Sequence, residues 1–223
     1  MKTWKYLCII VRSLFLLIVF LNIAYAESPS DVYKAAESGL PLMLDSIPQG
    51  YELRYGFANR EEFATATIGL PYQMYTIHPE MLLGNTTLTD DMIVSVEEWR
   101  FPVICDGRIR ALLTVAKVKG NWQSVDIGAA LLASEIDALE RDLSLKNRDI
   151  KRIILRLYQI KSDFIVITDA SAKVTNGAFY PLKSARMGVG GSMRARSTIS
   201  SLSFQDLLPI LKERYRYEYL PVK

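Results

Sequence analysis

Residues 92–128 constrain this chain more than any other stretch, because they read as three consecutive strands joined by turns that permit only a β-meander. In the first strand, Met92–Asp106, residues alternate faces, so Trp99, Phe101, Val103 and Cys105 share one side while Arg100, Pro102 and Ile104 share the other. Asp106-Gly107 follows, the dipeptide that supplies positive φ at both corners of a type I′ hairpin. In the second strand, Arg108–Lys119, Ile109, Ala111, Leu113 and Val115 alternate with Arg108, Arg110, Leu112, Thr114 and Ala116. Lys119-Gly120-Asn121 is the next turn, and Asn121–Ile127 the third strand. Pro102 cannot donate to a ladder, so the first strand is expected at a sheet edge or with a bulge there.

The flanking segments read as helices in blocks. Ser28-Pro29-Ser30-Asp31 opens one, with Ser28 as N-cap, and Gly39 and Pro41 are expected to break or kink it. Asn59-Arg60-Glu61-Glu62 is a capping-box signal for a short second helix. Ala129–Leu143 is the clearest helix, with Ala129, Leu132, Ile136, Leu139 and Leu143 in one stripe and Glu135, Asp137, Glu140, Arg141 and Asp142 on the solvent side. That stripe is expected to cover Trp99, Phe101, Val103 and Cys105. Strands are read at Gly69–His78, Ile153–Ile160, Phe164–Thr168 and Phe179–Leu182, and a last helix begins at about Asp206. The alternating Arg214–Tyr219 segment suits a short strand or a tail. Hairpin-linked strands with helices in blocks define an α+β class: a single layered domain over residues 27–220, built on an antiparallel sheet, with a flexible Gly/Arg loop at about 184–201.

Met1–Ala26 stands apart from this pattern. Lys2, Lys5 and Arg12 precede or enter an apolar run, Leu14–Ile23, which ends in Ala24-Tyr25-Ala26, the small-x-small pattern of a signal-peptidase site. The segment is expected to direct export to the periplasm or the exterior and to be cut after Ala26; the alternative is an uncleaved anchor, disfavoured by Arg12. The whole chain has 27 Lys+Arg and 24 Asp+Glu. All the excess cations lie in the leader, so the mature chain is neutral and offers no electrostatic reason for a nucleic-acid partner. Cys8 also lies in the leader, leaving Cys105 unable to form an internal disulfide.

Chemistry-bearing motifs are few. His78 is the only histidine, and with Cys105 it would make a thiol nucleophile only if the fold brought the two into contact. One His and one Cys do not make a zinc site of the usual kind, Asp90-Asp91 and Glu97-Glu98 lack a calcium-loop pattern, and no cofactor motif is present. Asn85-Thr86-Thr87 fits the glycosylation sequon, a short pattern with little weight. Between Ala170 and Gln205 there is no acid, but there are Lys173, Lys183, Arg186, Arg194 and Arg196, interleaved with Gly188, Gly190 and Gly191. Lys183, Arg186, Arg194 and Arg196 are the expected anion-binding residues, since arginine forks and glycine-exposed N–H groups suit carboxylate or phosphate.

The expected function is a non-catalytic binding or interaction module outside the cytoplasm, with a protein or anionic polymer as partner. A secreted hydrolase or thiol enzyme using Cys105 and His78, or a subunit of an envelope assembly, are the alternatives. The leader makes the first test direct: the exported chain should begin at Glu27, and an intact mass that retains residues 1–26 would refute cleavage after Ala26.

Overall fold

The computed structural model describes residues 29–83, 89–145, 150–188 and 200–219. The leader, Ser28, the Asn85-Thr86-Thr87 sequon, Arg194 and Arg196 lie outside them. Eight strands form one sheet: β1 (Thr67–Ile68), β2 (Tyr72–Ile77), β3 (Ile93–Cys105), β4 (Arg108–Val118), β5 (Asn121–Gly128), β6 (Ile150–Leu157), β7 (Ser162–Asp169) and β8 (Ala178–Pro181). The order is β5-β4-β3-β2-β6-β7-β8, with β1 beside β3. The meander forms as its turns require. Asp106 and Gly107 have φ of 51° and 69°, and Lys119 and Gly120 have 51° and 85°. Every pairing is antiparallel except β2 with β6, which is parallel and joins the meander to the β6–β8 half.

Pro102 does not mark an edge strand, because β3 has neighbours on both sides. The ladder gives way around it instead. From Ile68↔Val103 to Tyr72↔Arg100, four steps of one strand match three of the other. On the β4 side, Val103 pairs with Ala111 and Ile104 with Ile109, which leaves Arg110 as a bulge. Gly69 N–H donates to the Pro102 carbonyl at 2.7 Å, and the reciprocal bond of such a pair is the one proline cannot make. The bulge also overturns the expected facing of β4: Ile109 joins Leu112, not Ala111 and Leu113.

Both sheet faces are covered, which corrects the expected partner of the meander. Phe101, Val103 and Cys105 pack with Ala111, Leu113, Val115 and Ile127 beneath the N-terminal helix α1 (Pro29–Asp45), through Val32, Ala36, Leu40 and Leu44. The helix expected there, α3 (Ala130–Asp142), lies on the opposite face, where Ala133, Ile136 and Leu139 meet Tyr72, Met74, Leu112, Ile154 and Ile165. Adjacent Leu112 and Leu113 are both fully buried, so β4 has an apolar residue for each layer, each side chain contributing about 1.5–3 kcal/mol on burial. Ala129, at φ 55°, turns the chain from the β5 edge onto the second face.

Helix α1 runs through Gly39 and Pro41 without the expected break. At Gly39 the helix lies close against the sheet: a Cβ there would be 2.3 Å from Ser124 Cβ. Ser124 Oγ donates to the Ala35 carbonyl at 2.9 Å, tying β5 to α1.

The second half carries its own core. Helix α5 (Phe204–Tyr219) and the short α2 (Pro79–Leu83) bury Leu82, Leu207, Leu208, Leu211 and Tyr215 against Ile153, Leu155, Phe164, Val166 and Phe179. α5 starts before the expected Asp206. Ser203 is the capping residue, accepting from Asp206 N–H at 3.1 Å and donating to its carboxylate at 2.6 Å. Arg214–Tyr219 continues the helix instead of forming a strand or tail, with Arg214 paired to Glu218 at 3.1 Å. Lys183–Gly188, which overlaps the start of the loop expected at about 184–201, is the short helix α4.

The two edges of the sheet differ. β8 is bonded reciprocally to Leu202, through Phe179 N–H at 2.9 Å and Leu202 N–H at 2.8 Å. In β5, Thr114↔Asp126 is followed by Val115↔Ser124, so Val125 stands out of register. Gly39→Ala should destabilise the protein by about 1–3 kcal/mol through overpacking against Ser124, read as a lower melting temperature. An unchanged melting temperature would show that α1 does not press on β5 there.

Candidate functional site

Cys105 and His78 do not meet. His78 follows β2 at the Ile77↔Ile93 end of β3, and Cys105 closes the other end, roughly 40 Å away at the usual rise per strand residue. His78 is half-exposed, with Glu80 at 3.9 Å. Cys105 is 1% exposed, its Sγ 3.5 Å from the Glu62 carbonyl. Burial, with the nearby Glu62 charge adding, pushes its thiol up to about 11. That is the opposite of an activated nucleophile.

The basic residues are brought together only in part. Arg186 on α4 lies 3.8 Å from Glu135 of α3, and the backbone N–H of Lys183 donates to the same carboxylate at 2.6 Å. Among the described residues this pairing joins α4 to α3, with the Lys183 side chain exposed. Glu97 and Glu98 point to opposite faces, pairing with Lys117 at 3.2 Å and Arg100 at 2.8 Å. Glu98 is only a quarter exposed, more sheltered than a solvated charge. No group of three or more His, Cys, Asp or Glu converges on a metal-sized site among the described residues. No described helix is long and apolar enough to cross a membrane.

The structure instead assembles a cleft where the sheet gives way at Pro102. It has a volume of about 500 Å³ and is lined by Tyr33 and Glu37 of α1, Ile68 of β1, Gly69 and Leu70 between β1 and β2, Pro102 and Ile104 of β3, and Glu140, Leu145 and Arg152. Its floor is thus apolar, and its two walls carry charge. On the inner wall the groups hold one another. Buried Tyr72 donates to Glu140 Oε1 at 2.6 Å. Arg152, 4% exposed, has its Nε 3.8 Å from the same oxygen and donates through its second terminal nitrogen to the Leu145 carbonyl at 3.1 Å. Burial first, and then the Glu140 charge, hold the Tyr72 hydroxyl well above its usual range, so it stays a donor. On the outer wall, Glu37 is exposed and Tyr33 half-buried, its ring edge-on to Phe101 at 5.2 Å.

Sequence reasoning missed this inner wall. Ala133, Asp137 and Glu140 repeat at i, i+4 and i+7 and so face inward, although both carboxylates read as solvent-side. Asp137 is buried and anchors α3 to the β3–β4 hairpin through Arg108 at 2.8 Å and the Ile109 N–H at 3.2 Å, and Arg141, one turn on in the same helix, pairs with it at 3.0 Å. Arg152 falls just before the expected Ile153–Ile160 strand but lies within β6, and the parallel pairing of β6 with β2 brings it beside Tyr72.

No protein-family model, curated protein or solved structure matches the chain. The site therefore rests on its own geometry.

The Cys105 environment has a measurable consequence. Its thiol should resist iodoacetamide at pH 8 in the folded protein and react on unfolding. Because the folded thiol holds its proton longer than the unfolded one, its contribution to stability is intact below about pH 9 and falls by about 2–3 kcal/mol as pH rises towards 11. Cys105→Ala should remove that slope in pH-dependent denaturation; rapid alkylation of the native protein would contradict the burial.

Proposed function

We propose that this chain is an exported, non-catalytic binding module that holds a small ligand in the cleft beside Pro102. The observation that carries the reading is the cleft's composition: an apolar floor with a few polar groups fixed by mutual hydrogen bonds, the pattern of small-molecule sites. The volume of about 500 Å³ is in the range of such sites. Export is supported by the Met1–Ala26 leader pattern, and the non-catalytic part by the separation of Cys105 from His78.

A panel of amines, amino acids, carboxylates and sugars, screened by thermal shift, tests the reading. A ligand at one hundred times its Kd should stabilise the protein by about 2.7 kcal/mol, a rise of several degrees. Leu70→Trp, which fills the cleft from the β1–β2 connection, should abolish that rise while leaving the unliganded melting temperature within a few degrees of wild type. No stabilising compound, or one that still acts on Leu70→Trp, would overturn the cleft as the binding site.

A further inference from the structure

Resting on the reading of the cleft as a ligand site, we propose that its ligand is a free organic ammonium ion, with a cationic head at Glu37 and Tyr33 and an apolar body on the floor. The argument starts from the charges that line the cleft. Glu140 and Arg152 face each other across 3.8 Å and balance. Glu140 also takes the Tyr72 hydroxyl, and Arg152 the Leu145 carbonyl. Glu37 is the remaining ionised lining group, and no described residue forms an ion pair or side-chain hydrogen bond with it. Among the described residues the lining therefore carries one uncompensated negative charge, which one positive charge on a ligand would neutralise.

The position of Glu37 adds a second requirement. It lies four residues after Tyr33 on α1, so the carboxylate and the aromatic ring share one helix face and both border the cleft. A carboxylate beside an aromatic ring is suited to an alkylated or primary ammonium, which draws on charge and on the ring's quadrupole together. The Tyr33 ring is set by its edge-on contact with Phe101, so it is already oriented. Below these two groups, Ile68, Leu70, Pro102 and Ile104 offer aliphatic surface and no charge. A carboxylate or phosphate ligand would meet Glu37 at the rim and find Arg152 already engaged.

Calorimetric titration of the full mature protein with hexylammonium, hexanol and hexanoate tests this, since the three share one body and differ in the head. Hexylammonium should bind at least tenfold more tightly than either other compound, and more weakly as salt is raised from 20 to 500 mM. Glu37→Gln should cost about tenfold in affinity and Tyr33→Leu about two- to fivefold; because Glu37 is exposed, the first variant should melt as wild type does. Equal binding of hexanol or tighter binding of hexanoate would overturn the inference, as would full retention in Glu37→Gln. A lysine side chain carries the same head, so Nα-acetyl-lysine methylamide is titrated alongside; tighter binding than hexylammonium would overturn a free amine as the ligand. If no ammonium compound binds but a carboxylate or sugar of the panel does, and Leu70→Trp blocks it, the ammonium inference falls while the cleft reading stands. If no compound binds in a Leu70-dependent way, both fall.

Discussion

Pro102 has no N–H to give, and one end of the sheet is arranged around that missing donor. A proline inside a central strand would ordinarily leave a neighbouring carbonyl without its partner. Here the neighbouring strand is interrupted at the same level: β1 ends at Ile68, Gly69 makes the single bond available to it, and β2 resumes at Tyr72 one residue out of register. On the other side Arg110 bulges out of β4. The Arg110 guanidinium reaches Glu62 at 2.5 Å, which holds the Asn59-capped turn against the hairpin. The absent hydrogen thus accounts for the interruption on the β1–β2 side of β3 and for the opening in which the cleft lies, while the Arg110 bulge is on the opposite side, towards β4.

The parallel contact between β2 and β6 is the second organising feature. Without it, the meander with α1 and the β6–β8 unit with α5 would be two small half-cores. With it, Met74, Ile154 and Ile165 form a continuous floor for α3, and the three hydrophobic clusters share one sheet. The same contact sets Arg152 level with Tyr72, so the pairing that completes the sheet also completes the inner wall of the cleft.

The local features of the fold were readable in the chain. The two glycine turns, the capping asparagine, the 130–142 helix and the α+β class each follow from short-range chemistry, and each is present. What was hidden needed long-range information. Alternation in β3 indicated which residues share a face but not which helix lies over it, because a sheet buried on both sides offers two. Gly39 and Pro41 read as breakers because propensity speaks of an isolated helix, whereas this one is held by Ser124 and the apolar side chains beneath it. Asp137 and Glu140 read as surface charges because their partners are distant in sequence: Arg108 and Tyr72 become neighbours only after the sheet has formed.

The two outer strands bear on how this protein behaves among copies of itself. An unpaired strand is an invitation to another chain, and a long flat one can seed an intermolecular sheet. β8 presents little to extend, since Leu202 already occupies its bonding groups at Phe179. β5 is longer and, among the described residues, pairs with no strand on its outer side, but Val125 breaks the repeat midway. A second molecule arriving at that side would find no uninterrupted run of donors and acceptors to match. An edge interrupted in this way is a poorer template for strand addition, and the interruption is a single residue standing out of line.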